Sequence, residues 1–311
     1  MINLTQLFAK TKENSGGFQR KLDVNTVLGV YCGFSLDGNY SISIMSSIKH
    51  SKIESTKLIL VKQWSESPDV HWTSFELLED SSKDIFFVFC KNMIESIENV
   101  FDEHRALSLL RRRYIAWKSL FKNNSAHTPS KEVLQGLFGE LYFIKKVLLN
   151  KHPIETIIQG WSGPDSKSKD FSFGTTWYEI KTIGTSVTEV RISSLAQLSS
   201  KYDGNLIIIR VEGMSDNFSN GESCIGELFT SILSMIADET IEGMFLAKMA
   251  SLGFDSTDTS FNAKFDVKSI ESYIVDNNFP KLTESSINFP EIGNVTYTLI
   301  VNALEKYKGE L

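Results

Sequence analysis

Cysteine is scarce in this chain: Cys32, Cys90 and Cys224 stand far apart and odd in number. No CxxC spacing occurs, which argues against a cysteine zinc site or a disulfide framework and suits a reducing, cytoplasmic setting. The histidines, His50, His71, His104, His127 and His152, show no metal-ligand spacing. A surplus of positive charge is missing too. The formal net charge is −6 and the pI is near 5.5, so the surface as a whole attracts neither nucleic acid nor an anionic membrane, although a single cleft can still be basic. Residues 1–14 lack the apolar centre of a signal peptide. No run approaches the ~20 apolar residues that span a bilayer. No G-x-S-x-G, P-loop or G-x-G-x-x-G pattern occurs, and neither internal repeats nor low-complexity tracts are present.

What remains is a chain of 311 residues, 41% hydrophobic and 23% charged, enough for one large or two modest domains with a sizeable core. Residues 1–82 read as a strand-rich N-terminal domain, with "TVLGVYCGF", "YSISIM", "KLILVKQW" and "WTSFELLE" as short apolar or alternating runs. Residues 83–127 read as a helical connector, since Phe86, Phe87, Cys90, Met93, Ile94 and Ile97 recur at three and four. Thr128-Pro129 looks like an N-cap followed by proline at the first helical position. It opens a core over 128–215, whose first helix carries Leu134, Leu137, Phe138, Leu141 and Leu148 on one stripe. "IETIIQGW" follows as a short apolar run, "RISSLAQL" reads as a helix and "NLIIIRV" as a strand buried on both faces. Residues 216–311 form a C-terminal extension with helices near 224–237 and 241–253 and the strand-like "NVTYTLIVNAL".

The stretch that carries chemistry is "GPDSKSKDFSFGTTWYEIKTI". Taking "KDFSF" and "TWYEIKTI" as a hairpin turning at Gly174 and Thr175, position 170 faces position 179. Alternation then puts Asp170, Glu179 and Lys181 on one face and Phe171, Phe173, Tyr178 and Ile180 on the other. Carboxylates this close repel unless a proton or a cation lies between them. The economical occupant is a hard divalent cation, Mg²⁺ in particular. Asp165, in the turn-like Gly163-Pro164-Asp165, reaches the site only if its loop folds back. Asp170 is the first choice and Asp165 the reserve.

Asp…Glu-x-Lys resembles the motif of the PD-(D/E)XK nuclease superfamily, to which many restriction endonucleases belong. The order Ser130–Asn150, "IETIIQGW", "KDFSF", "WYEIKTI", "RISSLAQL", "NLIIIRV" matches that family's helix, strand, strand, strand, helix, strand. Together "GLFGEL", "W-x-G-P", "DF" and "EIKT" are similar to the bacterial PD-(D/E)XK motif proteins of restriction and phage-defence gene clusters. The resemblance implies an α/β (α+β) restriction-endonuclease-like core, a mixed central sheet flanked by helices, beside the strand-rich N-terminal domain. It implies Mg²⁺, with Mn²⁺ as a substitute, held by Asp170, Glu179 and the carbonyl of Ile180. Lys181 orients the attacking water, and Glu140, on the first helix, holds a metal-bound water or a second ion. Gly136 and Gly139 flank Glu140 and allow close approach.

Asp165-Ser166-Lys167 and Asp266-Val267-Lys268 also fit (D/E)-x-K but lack the helix and buried strands around them. The bland alternatives are an exposed edge-strand pair for Glu179 and Lys181, a turn end for Asp170 and a helix-surface carboxylate for Glu140. Arg111, Arg112 and Arg113, with Lys118, form the densest basic cluster, which either touches phosphates or is a solvated helix face. Gln197 faces the site or is a surface glutamine. Two functions follow: a metal-dependent DNA endonuclease of a restriction or defence system, or a non-catalytic DNA-binding or assembly subunit that keeps the nuclease fold. The expected partners are DNA, a second copy of the chain, and a helicase or methyltransferase from the same operon; no membrane is expected.

Overall fold

The computed structural model describes residues 8, 17–118, 129–163, 169–215, 217–218, 220–252, 254, 259–283, 286, 292 and 295–311. The chain divides into two compact units, residues 1–126 with 253–258, and residues 127–252 with 259–311.

In the first unit β1 (Gln19–Lys21), β2 (Gly29–Phe34), β3 (Tyr40–Ser46), β4 (Ile59–Ser67) and β5 (Val70–Leu77) form an antiparallel sheet in the order β1-β2-β3-β5-β4. Alternation sends Val30, Cys32, Ile42, Ile44 and Phe75 into the core. There they join the buried stripes of α1 (Lys83–Glu95) and α2 (Glu103–Lys118), with the ring of Phe75 against Phe89 and Tyr114. The indole of Trp117 donates to Asn92 at 2.9 Å and ties the two helices together. The four strand runs form, as do two helices within the region read as 83–127, of which residues 119–127 lie outside the described residues.

The second unit begins with α3 (Lys131–Lys146). Its cap is Ser130, whose hydroxyl accepts from the Val133 N–H, so Pro129 precedes the helix and Thr128 lies outside the described residues. The sheet behind it has the order β12-β10-β9-β7-β6, from β6 (Phe171–Phe173), β7 (Thr176–Gly184), β9 (Gly204–Met214), β10 (Lys264–Val275) and β12 (Lys308–Gly309). β7 and β9 are parallel and the other pairs antiparallel, so the sheet is mixed. Leu206, Ile207, Ile208 and Ile209 on β9 are fully buried, as a strand covered on both faces requires. α3 packs on β7 and on α5 (Ile225–Leu233), and α6 (Glu239–Ser251) packs on α4 (Ile154–Gly160).

Three readings of the sequence are corrected here. "IETIIQGW" is α4, a helix: Pro153 starts it, and Ile154, Ile157 and Ile158 are buried at helical spacing. Only Trp161 just beyond it makes a bridge, to Phe171. "RISSLAQL" is no helix: its first residues complete β8 (Glu189–Ile192), which pairs with the distant β11 (Tyr297–Ile300), and Leu195–Gln197 make one 3₁₀ turn. β10, unrecognised in the sequence, is the longest strand, and its register shifts between Val267 and Ser269, which breaks the alternation that would have revealed it. The first C-terminal helix, Ile225–Leu233, is shorter than its apolar pattern, and the second, Glu239–Ser251, starts and ends slightly earlier than expected. No helix among the described residues is long and apolar enough to cross a membrane.

Candidate active site

The β6–β7 hairpin has the register expected of it. Phe171 faces Tyr178, Ser172 faces Trp177 and Phe173 faces Thr176, which sets Asp170, one residue before β6, opposite Glu179. Gly174 makes the turn with φ +62°, a left-handed conformation that favours glycine. Asp170 is anchored at both ends. Its carbonyl accepts from the Ser162 N–H at 2.8 Å, and its Oδ2 accepts from the Ile180 N–H at 2.6 Å. The N–H and C=O of one strand residue point to the same side, so the Ile180 carbonyl also faces Asp170.

Glu179 is not the exposed residue of an edge strand. It is 1% accessible, enclosed on a strand flanked by β6 and β9. Lys181 lies 2.8 Å from its Oε1. Apart from that ammonium, neither oxygen of Glu179 has a hydrogen-bond donor. A buried carboxylate with only one ammonium beside it is still costly in its charged form. Burial first, and Asp170 second, push Glu179 up to about 8, although Lys181 pulls the other way. Burial raises Asp170 too, opposed by the Ile180 N–H.

α3 brings the third carboxylate. A Cβ on Gly139 would lie only 1.8 Å from Oγ1 of Thr182 on β7, so glycine is what lets helix and strand meet. Gly136, by contrast, has nothing within 4 Å and plays no such part. Gln135 fixes the same junction by donating to the Thr182 carbonyl at 2.8 Å. Glu140 follows one residue after Gly139, and the buried indole of Trp161 donates to its Oε2 at 2.6 Å. Burial, then Asp170, raise Glu140 well above the usual carboxylate range, and Glu179 adds to the rise. The three carboxyl groups thus share one electrostatic environment. Lys248 of α6 secures Trp161 by donating to the carbonyls of Ile158, at 2.8 Å, and of Trp161.

Among the described residues no group of three or more His, Cys, Asp or Glu is disposed to hold a metal ion. The donor set that fits a hard cation is smaller, namely Asp170, Glu179 and the Ile180 carbonyl, all oxygen. The buried Oε2 of Glu179, which has no hydrogen-bond donor, is the observation that favours a cation there. Glu140, held by Trp161, stands beside that set.

The remaining residues singled out in the sequence lie elsewhere. Gln197 spends its side chain locally, accepting from the Ser193 N–H at 2.7 Å. Asp165 and its neighbour Lys167 lie outside the described residues. Lys268 pairs with Asp266 at 2.6 Å and Glu212 at 3.1 Å, a cluster across β10 and β9. Arg111, Arg112, Arg113 and Lys118 belong to α2 of the first unit. Arg111 and Arg112 are exposed, Arg113 is buried, and Lys118 is paired with Glu54 at 2.8 Å, so the four do not form one open face. Two contributors escaped the sequence reading. One is the Trp161 indole donor. The other is Lys169, whose ammonium lies 4.9 Å from the Trp177 ring centre and donates to the carbonyls of Ala196 and Ser199. A lysine directly before Asp170 was the available signal for the second.

A mixed sheet carrying Glu-x-Lys opposite an aspartate, with a glutamate-bearing helix against it, is the arrangement of the PD-(D/E)XK class. The chain belongs to the family described as "Putative PD-(D/E)XK family member, (DUF4420)", whose profile matches residues 5–302. No curated protein and no solved structure matches it.

Proposed function

We propose that this protein is a divalent-cation-dependent DNA endonuclease serving a restriction or phage-defence system. The observation that carries the reading is Glu179: a carboxylate buried on a strand, with Lys181 at one oxygen, no donor at the other, and Asp170 beside it. Asp170 and Glu179, with the Ile180 carbonyl, would hold Mg²⁺ or Mn²⁺. When bound, such an ion polarises the phosphoryl oxygen and offsets the charge that develops there. The residues themselves do the positioning. Asp170 is held by the Ile180 N–H, which fixes one carboxylate before any ligand arrives. Lys181 places a positive charge next to Glu179, where it can orient water and meet phosphate charge. Glu140, raised well above the usual carboxylate range by burial, offers a group that can hold a proton on the Trp161 side. One such site per chain cuts one strand, so two copies acting together account for a double-strand break.

Plasmid nicking by the purified protein tests the proposal. With Mg²⁺ or Mn²⁺ the wild type should relax supercoiled DNA, and Asp170→Asn, whose amide oxygen can still accept from Ile180, should fold normally and not cut. A well-folded wild type that leaves plasmid intact with both ions would make the chain a non-catalytic DNA-binding or assembly subunit.

A further inference from the structure

A second candidate site lies within the first unit. After β3 the chain runs past α2 and leaves a cavity of about 190 Å³. Its floor is apolar, from Ile44, Phe75 and Leu110, and Ser108 on α2 supplies a hydroxyl at its side. Lys49, His104 and Arg111 line its mouth, and among the described residues no carboxylate lines it. A wider groove of about 420 Å³ adjoins it and also contains Arg111, together with Lys52. Among the described residues the one carboxylate lining that groove, Glu54, is paired with Lys118 at 2.8 Å. Lys49, Lys52 and Arg111 have no ion-pair partner among the described residues.

The cavity wall is fixed. His50 is bonded through one ring nitrogen to Ser46, at 2.6 Å, and through the other to Thr73. Burial lowers its pKa to about 4, so it stands neutral and pins the segment after β3 to β3 and β5. At about 190 Å³ the cavity falls below the ~300–1,000 Å³ of sites for drug-sized ligands. One flat ring system suits it better than a whole cofactor or an acyl chain. Arg111 stands between the cavity and the groove, so an anion there has an apolar hole on one side and a continuing cationic path on the other. That alternation of ring and anion is the repeat of a nucleic acid strand. In a chain of net charge −6, a groove with three unpaired cations does not follow from the average surface.

We propose that this groove binds a single-stranded stretch of nucleic acid, with one unpaired base in the cavity and its flanking phosphates on Lys49, Arg111 and Lys52. Ser108 and His104 stand where the polar edge of that base would need partners. The proposal rests on the reading of the protein as one that acts on nucleic acid, but not on its active site.

Fluorescence anisotropy on the full chain carrying Glu179→Gln tests it without cleavage. The probes are a short labelled single-stranded oligodeoxynucleotide, the matching duplex, and deoxyadenosine monophosphate as competitor. The single strand should bind more tightly than the duplex. Arg111→Glu should weaken it by at least ~10-fold, the scale of losing one well-placed contact. Lys49→Ala and Lys52→Ala should each lower the slope of log K against log salt by about 0.7, the value for one single-strand phosphate. Ser108→Trp, on the exposed side of α2, should fill the cavity and reduce single-strand affinity to that of the duplex. A thermal melt of each variant shows that it is folded. Equal binding of strand and duplex by the parent, or unchanged binding in folded Arg111→Glu and Ser108→Trp, would overturn the proposal. So would a mononucleotide that competes as well, molecule for molecule, as the oligonucleotide. Groove binding without any plasmid nicking would sink the endonuclease reading alone, and nicking without groove binding would sink this one alone.

Discussion

Glu179→Gln should make the protein more stable, and only at high pH. In the unfolded chain Glu179 loses its proton near 4.5; in the folded chain it keeps it to about 8. Between those values the folded state binds more protons than the unfolded state. Stability therefore falls as pH rises through that window and stays low above it. At about 1.4 kcal/mol for each tenfold change, a rise from 4.5 to about 8 corresponds to a loss on the order of 4–5 kcal/mol. Glutamine keeps the shape and carries no charge at any pH. In urea denaturation without divalent cations, wild type and variant should differ little near about pH 5, and the variant should lead by several kcal/mol near about pH 9. A difference that is the same at both pH values would show that burial of Glu179 does not control its ionisation, and the electrostatic account of the site would fail.

Divalent cations should reverse that loss, because binding requires the ionised carboxylate. Mg²⁺ or Mn²⁺ should raise the wild-type Tm more at about pH 8 than at about pH 6, and should leave Glu179→Gln unmoved; equal shifts in both proteins would place the ion elsewhere. Lys181→Ala should retain cation binding while single-turnover cleavage slows by at least ~100-fold, and an unchanged rate in a well-folded variant would make Lys181 a bystander. Gly139→Ala forces a Cβ to within 1.8 Å of the Thr182 hydroxyl and should destabilise by about 1–3 kcal/mol. Gly136→Ala, with open space around it, should be neutral or stabilise by up to ~1 kcal/mol; equal melting points for the two would refute the close helix–strand contact.

The placement of Asp170 against Glu179 was readable because it depends only on a local hairpin. Gly174 marks the turn, the alternation of Phe171, Phe173 and Tyr178 sets the faces, and nothing distant intervenes. The depth of the site was not readable. Glu179 is buried although its strand is only part of a sheet, and an alternating pattern shows which face a residue takes, not what covers it. Ile154, Ile157 and Ile158 misled through residue type, since β-branched side chains favour strands while their spacing is that of a helix. Arg191 and Ile192 took their strand conformation from Thr298 and Tyr297, about a hundred residues away. Glu140 was readable as a candidate from "GLFGEL", but its partner Trp161 lies after a separate helix, and no periodicity joins the two.

β10 has a practical consequence for anyone who shortens this protein. A fragment ending at residue 215 keeps Asp170, Glu179, Lys181 and Glu140, and by motif alone it contains everything the chemistry asks for. It loses the strand that pairs with β9 from Gly204 to Met214. The bare flank would then be a long isoleucine-rich edge, with Ile207, Ile208 and Ile209 in succession. Such an edge recruits other chains as readily as its own missing neighbour. The truncated product should therefore collect in inclusion bodies, and an expression boundary that respects the sheet has to run from 127 through to the strand at Lys308–Gly309.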